Sequence, residues 1–358
     1  MKRMMRRTWC LPHGVPSGKR EFLEARLYLR WKWIFKYIKR RLFCYVWVQQ
    51  FGLTPECTKI CTKHHRILWI NWAASSLGDS LMDLSGRVLL SEHEVTLLTH
   101  PKNAALYEND FVFSAVFSQP WALISRLDKR YFDLVICDAF SPRVFVWKLL
   151  IAPRTPFVGL YSYINGFEVH RTYFAFARMR ELISTNRTIE VIRPTISVPD
   201  NLNEASATDV CVAVGGEWLF RTYDHWLPVI RWLVDRGLSV TLVGSKNGLE
   251  TAAVISGSCP SVRSTVGKLT LPEVVNQIAS CKAFLGADGG LWHIACAIPL
   301  PTVALFADCQ IFDEEGNRVT RETTDMVCET LYDDATVSNI PYQFVIAACE
   351  RLLARIDL

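Results

Sequence analysis

Apolar residues in this chain gather into runs of strand length that alternate with stretches of helical period. Arg66–Asn71 (RILWIN) and Glu94–Thr99 (EVTLLT) predict two strands with a helix over Ser80–Leu90 between them, and Phe132–Asp138 and Phe157–Tyr163 predict two more strands. A second series opens at Val210–Val214 (VCVAV) and runs through a helix over Tyr223–Arg236 to a strand over Leu238–Gly244. Helices over Leu249–Ser256 and Leu271–Ser280 lead to the strand Ala283–Gly286; a short helix after Asp288-Gly289-Gly290, a strand over Pro301–Phe306 and a helix over Tyr342–Ile356 follow. Strands that alternate with helices form parallel sheets with right-handed crossovers, so the fold class is α/β. Pro194–Asp209 (PTISVPDNLNEASATD) lacks apolar periodicity and reads as the linker between the series. The expected organisation is an N-terminal extension (1–65), a first Rossmann-like domain (66–197), a linker (198–208), a second Rossmann-like domain (209–340) and a C-terminal helix (341–358) crossing back to brace the first domain. Two such domains leave a cleft between their strand C-terminal ends, where ligands bind in open α/β sheets.

Composition excludes a disordered or fibrous chain, because 50% of the 358 residues are hydrophobic and 21% charged. Charge is divided unevenly: residues 1–66 hold 16 Lys/Arg against three acids, a net of +13, which leaves −8 for the rest of a chain whose total is +5. Residues 19–50 are free of Pro and Gly and predict one long helix or two short ones. Arg26, Arg30, Lys36, Lys39, Arg40 and Arg41 are interleaved there with Trp31, Ile34, Phe35 and Ile38. Such a segment docks on an anionic membrane surface, or packs its aromatics on the domain behind it with the cations solvated. No nucleic-acid recognition fold accompanies the charges, so nucleic acid is not an expected partner.

No uncharged apolar run is long enough for a membrane span, and Pro12, Gly14 and Pro16 interrupt what would be a signal peptide. The 12 cysteines are scattered, with Cys137 and Cys211 inside apolar strands, which suits a reduced, cytosolic protein better than a disulfide framework. Cys57, Cys61, His64 and His65 have a C-x3-C-x2-H-H spacing able to hold zinc or iron; without a second ligand pair, a loop with soft side chains is the favoured reading and no metal is expected.

Two loops carry candidate chemistry. Ala73-Ala-Ser-Ser-Leu-Gly-Asp-Ser-Leu follows the first strand and places Asp79 near the start of the next helix, where a carboxylate either caps the helix or serves as a general base beside the cleft. Leu285-Gly-Ala-Asp-Gly-Gly-Leu-Trp-His-Ile-Ala runs from strand into helix, with Gly289 and Gly290 baring backbone N–H groups as phosphate-cradling turns do. The same glycines suit a tight turn with no ligand, and His293 also fits a satisfied core histidine.

SLGDSL (76–81), Gly215–Gly244 and GADGGLWHIACAIPLPTVALF (286–306) together resemble glycosyltransferase family 9, the heptosyltransferases of bacterial lipopolysaccharide synthesis, over about residues 66–310. The resemblance implies a GT-B fold, two Rossmann-like domains facing a cleft, with the acceptor on the first and a nucleotide-diphosphate sugar such as ADP-heptose on the second. It makes Asp79 the base of an inverting transfer and places Asp288, Gly289, Gly290 and His293 around the donor diphosphate. Arg221 falls where the family usually has a lysine near the phosphates, and Glu250 faces the nucleotide ribose. It implies no required cofactor, a lipid-linked saccharide acceptor and a peripheral location on the cytoplasmic face of the inner membrane. Ser85 stands where the family commonly has proline, and Tyr223-Asp224 replace its usual Trp-Pro. A protein acceptor such as an autotransporter, or a GT-B binding protein without turnover, is the alternative function.

Overall fold

The computed structural model describes residues 57–126, 131–139, 142–161, 171–183, 193–198, 207–307 and 327–358, together with Leu42 and Val46. The expected basic helical extension lies outside the described residues except for those two, which are helical and exposed. The chain divides into two compact units, Met1–Ile192 with Ile311–Val319, and Arg193–Gln310 with Thr320–Leu358. No helix of the described residues is long and apolar enough to cross a membrane.

In the first unit, β1 (Arg66–Asn71), β2 (Glu94–Thr99), β3 (Phe113–Phe117), β4 (Leu134–Ala139) and β5 (Phe157–Tyr161) form an all-parallel sheet in the order β3-β2-β1-β4-β5. After its first residue every position of β1 is buried, and the same holds for β2, which is why both read as continuous apolar runs. The edge strand β3 (FSAVF) is only partly covered and escapes the pattern. Helices α1 (Leu77–Asp83), α2 (Pro101–Ala104), α3 (Pro120–Arg126), α4 (Pro142–Ile151) and α5 (Arg171–Ile183) complete the unit. The single helix expected over Ser80–Leu90 is instead α1 followed by a 3₁₀ turn at Ser85–Leu90. Gly86 accounts for the break: it weakens the α-helix, and it brings the turn so close to α5 that a Cβ there would lie 3.1 Å from both Ala175 O and Met179 Cβ.

That turn also carries a buried ion pair. Arg87 Nε and Nη2 donate to Asp110 Oδ2 at 3.0 and 2.6 Å and Nη1 donates to Leu84 O at 3.1 Å, while Asp110 Oδ1 accepts from the Val112 amide at 3.0 Å.

In the second unit, β6 (Val210–Ala213), β7 (Val240–Val243), β8 (Arg263–Ser264), β9 (Ala283–Ala287), β10 (Thr302–Ala307) and β11 (Cys328–Asp333) lie in the order β11-β10-β9-β6-β7-β8, again all parallel. The helices are α6 (Trp226–Asp235), α7 (Leu249–Ser258), α8 (Leu271–Ala279), α9 (Gly290–Ala297) and α10 (Tyr342–Ala354). The strand β11, CETLYD, mixes Glu329, Thr330 and Asp333 with its apolar residues and was not expected from the pattern. The closing helix α10 sets Val345, Ala348, Cys349, Leu352 and Leu353 into the second unit's core beside β10 and α6, because these residues form its apolar face.

Strand order reverses between β1 and β4 in the first unit and between β6 and β9 in the second. The carboxyl ends of those strands are where open α/β sheets take their ligands.

Candidate functional site

At the carboxyl end of β1, a network of buried polar groups fixes the loop that leads into α1. Asp138, at the end of β4, accepts on Oδ2 from the Ala73 amide (3.1 Å) and from Asn71 Nδ2 (3.4 Å). Ser80 donates to Asn71 Oδ1 at 2.8 Å and shares a 2.9 Å hydrogen bond with Tyr107, and Asn103 Nδ2 holds Ala74 O at 3.1 Å. Full burial pushes the Tyr107 phenol well above its usual value, so it stays neutral. The loop is thereby set before α1 begins.

Asp79 is the third residue of α1, and its carboxylate pairs with a cation instead of capping the helix. Arg171, the first residue of α5, donates from Nη1 to Asp79 Oδ1 at 2.6 Å, from Nη2 to Asp83 Oδ2 at 2.7 Å, and from Nε to Asp83 Oδ1. The two aspartates are four residues apart and so share one helix face. Asp83 is 2% exposed and Asp79 43% exposed at the side chain, so the inner carboxylate is enclosed and the outer one open to a ligand. The capping alternative for Asp79 therefore falls, whereas its role as a base is a matter for the next section. Sequence reasoning missed Arg171, Asp83 and Asp138. The Asp79/Asp83 spacing was a signal for the second; Asp138, a carboxylate ending an apolar strand, was a signal for the third.

The second unit gathers most of its expected residues at the ends of β6 and β9. Asp288 follows β9, its amide donating to Leu305 O at 2.8 Å, and its carboxylate stands between two nitrogen groups. Arg221 Nη2 lies 3.2 Å from Asp288 Oδ2, and His293 Nε2 lies 3.7 Å from Asp288 Oδ1. His293 is buried, as a core histidine would be, yet it is aimed at this carboxylate. The Arg221 guanidinium sits 5.3 Å over the Phe220 ring, and its Nε is buried with no hydrogen-bond partner among the described residues. Gly289 is the fully extended N-cap of α9, and Gly290, Leu291 and Trp292 fill its first three positions, where backbone N–H groups have no intrahelical acceptor.

Two loops lock together to hold Arg221. Gly215 has φ +84°, and a Cβ on it would lie 2.7 Å from Gly248 Cα; Asn247 Nδ2 donates to Gly216 O at 2.6 Å. The turn after β7 is thus clasped against the turn after β6, and neither glycine pair was picked out as part of a site. Tyr223, which takes the place of a tryptophan, is buried against Trp226 with its hydroxyl donating to Ile340 O at 3.0 Å. Burial raises that phenol as well. Glu250 stands apart on the exposed first turn of α7, and among the described residues it makes no ion pair.

Among the described residues, no group of three or more His, Cys, Asp or Glu side chains is gathered as a metal site would require. The Nδ1 of His64 accepts from the Cys61 amide at 3.1 Å. Burial, followed by the nearby Lys63 charge, lowers the His64 pKa.

Residues 169–312 match the family model of glycosyltransferase family 9 (heptosyltransferase), which shows the resemblance read from the sequence. Lipopolysaccharide heptosyltransferase 2 of Escherichia coli K12 is 34% identical over 87 residues, which cover 23% of this chain and 25% of that protein. The chain thus aligns with about a quarter of the length of the curated relatives it matches. Among solved structures, a family 9 glycosyl transferase from Veillonella parvula has a TM-score of 0.66 at 15% identity, covering 81% of this chain and 97% of its own. The ADP-heptose heptosyltransferase II of E. coli has a TM-score of 0.63 at 17% identity, covering 82% and 100%. These likenesses show the fold, the two-sheet GT-B architecture.

Proposed function

We propose that this protein is an inverting glycosyltransferase that moves heptose from ADP-heptose to a saccharide of the lipopolysaccharide core. The observation that carries the reading is the group at the end of β9: an arginine whose buried Nε has no hydrogen-bond partner among the described residues, next to a carboxylate, a histidine and a helix that opens on two glycines. A diphosphate supplies the acceptors that this arrangement lacks. The names of the similar E. coli proteins supply the sugar and the nucleotide.

In this mechanism Asp79 takes the proton of an acceptor hydroxyl, whose oxygen attacks the anomeric carbon as the bond to the diphosphate breaks. The nucleoside diphosphate leaves with its charge held by the α9 amides and Arg221, so one displacement inverts the anomeric centre. Helix amides and a cation already placed need no reorganisation as the charge develops. Arg221→Met is expected to weaken ADP-heptose binding about 10- to 150-fold, the value of a charge-assisted hydrogen bond of roughly 1.5–3 kcal/mol. Calorimetric titration of the folded variant measures it, and unchanged affinity would remove the diphosphate from this site.

An amphipathic acceptor places the enzyme at the cytoplasmic face of the inner membrane, held by residues 19–50. Leu42 and Val46, the two described residues of this segment, are helical and 58% and 44% exposed. Each basic residue near an anionic surface contributes about 1 kcal/mol, so the full chain is expected to sediment with anionic liposomes at low salt. Release by about 1 M salt is expected, since the Debye length there is about 3 Å. Replacing Arg26, Arg30, Lys36, Lys39, Arg40 and Arg41 by Gln should abolish sedimentation; if it persists, the contact lies elsewhere.

A further inference from the structure

The guanidinium of Arg171 is the one element of the first unit's site that neither the motif around Asp79 nor the donor group explains. It has a 30% exposed side chain and meets two aspartates of unequal exposure. Toward Asp83 it presents Nε and Nη2 as a fork, one nitrogen to each carboxylate oxygen. A planar group held at both prongs by an enclosed carboxylate cannot rotate freely, and its remaining Nη1 then points in a direction set by the protein interior. That nitrogen meets Asp79 Oδ1 at 2.6 Å. One carboxylate oxygen of Asp79 is thereby engaged, on a side chain that is 43% exposed.

We propose that Arg171, anchored by Asp83, is a positioning residue that fixes the orientation of the Asp79 carboxylate for proton removal from the acceptor. The proposal rests on Asp79 being the base of the reaction described above. Asp83, Arg171 and Asp79 form a relay of orientation, in which a buried acid holds a cation and the cation holds the base. This is the logic of any nucleophile or base steadied by a third group. Helix spacing supplies half of the arrangement, because Asp79 and Asp83 are on one face of α1; α5 supplies the other half by ending its N-terminus against that face. The structure is economical in one respect: the same arginine neutralises an enclosed carboxylate and directs an open one.

The experiment measures kcat, donor affinity and melting for Arg171→Lys and Arg171→Met, each with Asp79 intact and with Asp79→Asn, using ADP-heptose and a lipopolysaccharide-core acceptor. Lysine keeps a cation for Asp83 but is a point charge that cannot fork to one aspartate and reach the other. Arg171→Lys is therefore expected to melt near the wild-type temperature, to keep its donor affinity and to lose about 10²-fold in kcat, the cost of a misplaced catalytic group. In the Asp79→Asn background, replacing Arg171 should cause no further loss in kcat, since residues acting as a unit are not additive. A structural arginine would give losses that multiply and would lower the melting temperature. Should Arg171→Met fail to fold because Asp83 loses its arginine, the Lys variant decides the matter. Wild-type kcat in Arg171→Lys alongside an inactive Asp79→Asn overturns the positioning role and leaves the base intact. Loss of the cooperative melt in Arg171→Lys overturns it also, by showing that the arginine is structural. An active Asp79→Asn removes the base itself, and the positioning role with it.

Discussion

Replacing Asp79 by Asn is expected to reduce heptose transfer by about 10²- to 10⁴-fold, the usual contribution of a general base. Affinity for ADP-heptose should not change. The residues assigned to the donor, Arg221, Asp288, Gly289, Gly290 and His293, are all built on the second unit, around β6, β9 and α9, whereas Asp79 is on α1 of the first. The substitution is also structurally mild. An Asn at 79 keeps an oxygen to accept from Arg171, Asp83 still holds the other two nitrogens, and an ion pair as open as this one contributes at most about 1 kcal/mol. A folded, donor-binding and inactive protein is thus the expected outcome, read by calorimetry together with release of ADP in the presence of acceptor. Near-wild-type turnover would reduce Asp79 to a partner of Arg171 and leave the proton of the acceptor without a recipient.

Much of the scaffold around these residues is legible in the chain. Strands β1, β2, β6 and β10 are buried on both faces and betray themselves as mainly apolar runs, and the loops after β1 and β6 stand out because Gly and Ser replace that pattern. Edge strands are not legible in this way: β3 and β11 are covered on fewer sides and admit Ser, Glu and Thr. The helix at Ser85–Leu90 failed for a related reason, since the periodicity of apolar residues was right but a glycine inside it served a tertiary contact with α5. In the site, residues close in sequence were found and distant partners were not. Asp288, Gly289, Gly290 and His293 occupy one turn and signal themselves together. Arg171 lies 92 residues from Asp79, and only the packing of α5 on α1 brings the two side chains into contact. Glu250, read from its position just beyond a strand end, lies on the exposed first turn of α7.

The largest effect on stability is expected at Arg87, which is not among the candidate ligand residues. Its side chain is 0% exposed and that of Asp110 1%, so Arg87→Met leaves a carboxylate enclosed with only the Val112 amide of its former donors. Breaking a buried pair from one side costs about 3–5 kcal/mol, because the remaining charge has lost its counterion and cannot reach water. For a unit of this size, roughly 150–200 residues, each kcal/mol lowers the midpoint by about 2–4 °C, giving a fall of about 6–20 °C. Adding Asp110→Asn should restore a large part of the loss, since a neutral amide keeps the oxygen that accepts from Val112 and removes the stranded charge. The residues assigned to the donor lie in the second unit, which has its own core, so ADP-heptose affinity measured below the transition is expected to stay at the wild-type value in both variants. Denaturant titrations followed by calorimetry separate these outcomes. A loss below about 1 kcal/mol in Arg87→Met would mean that water reaches Asp110 once the arginine is gone, and that the turn after α1 opens more easily than its burial implies.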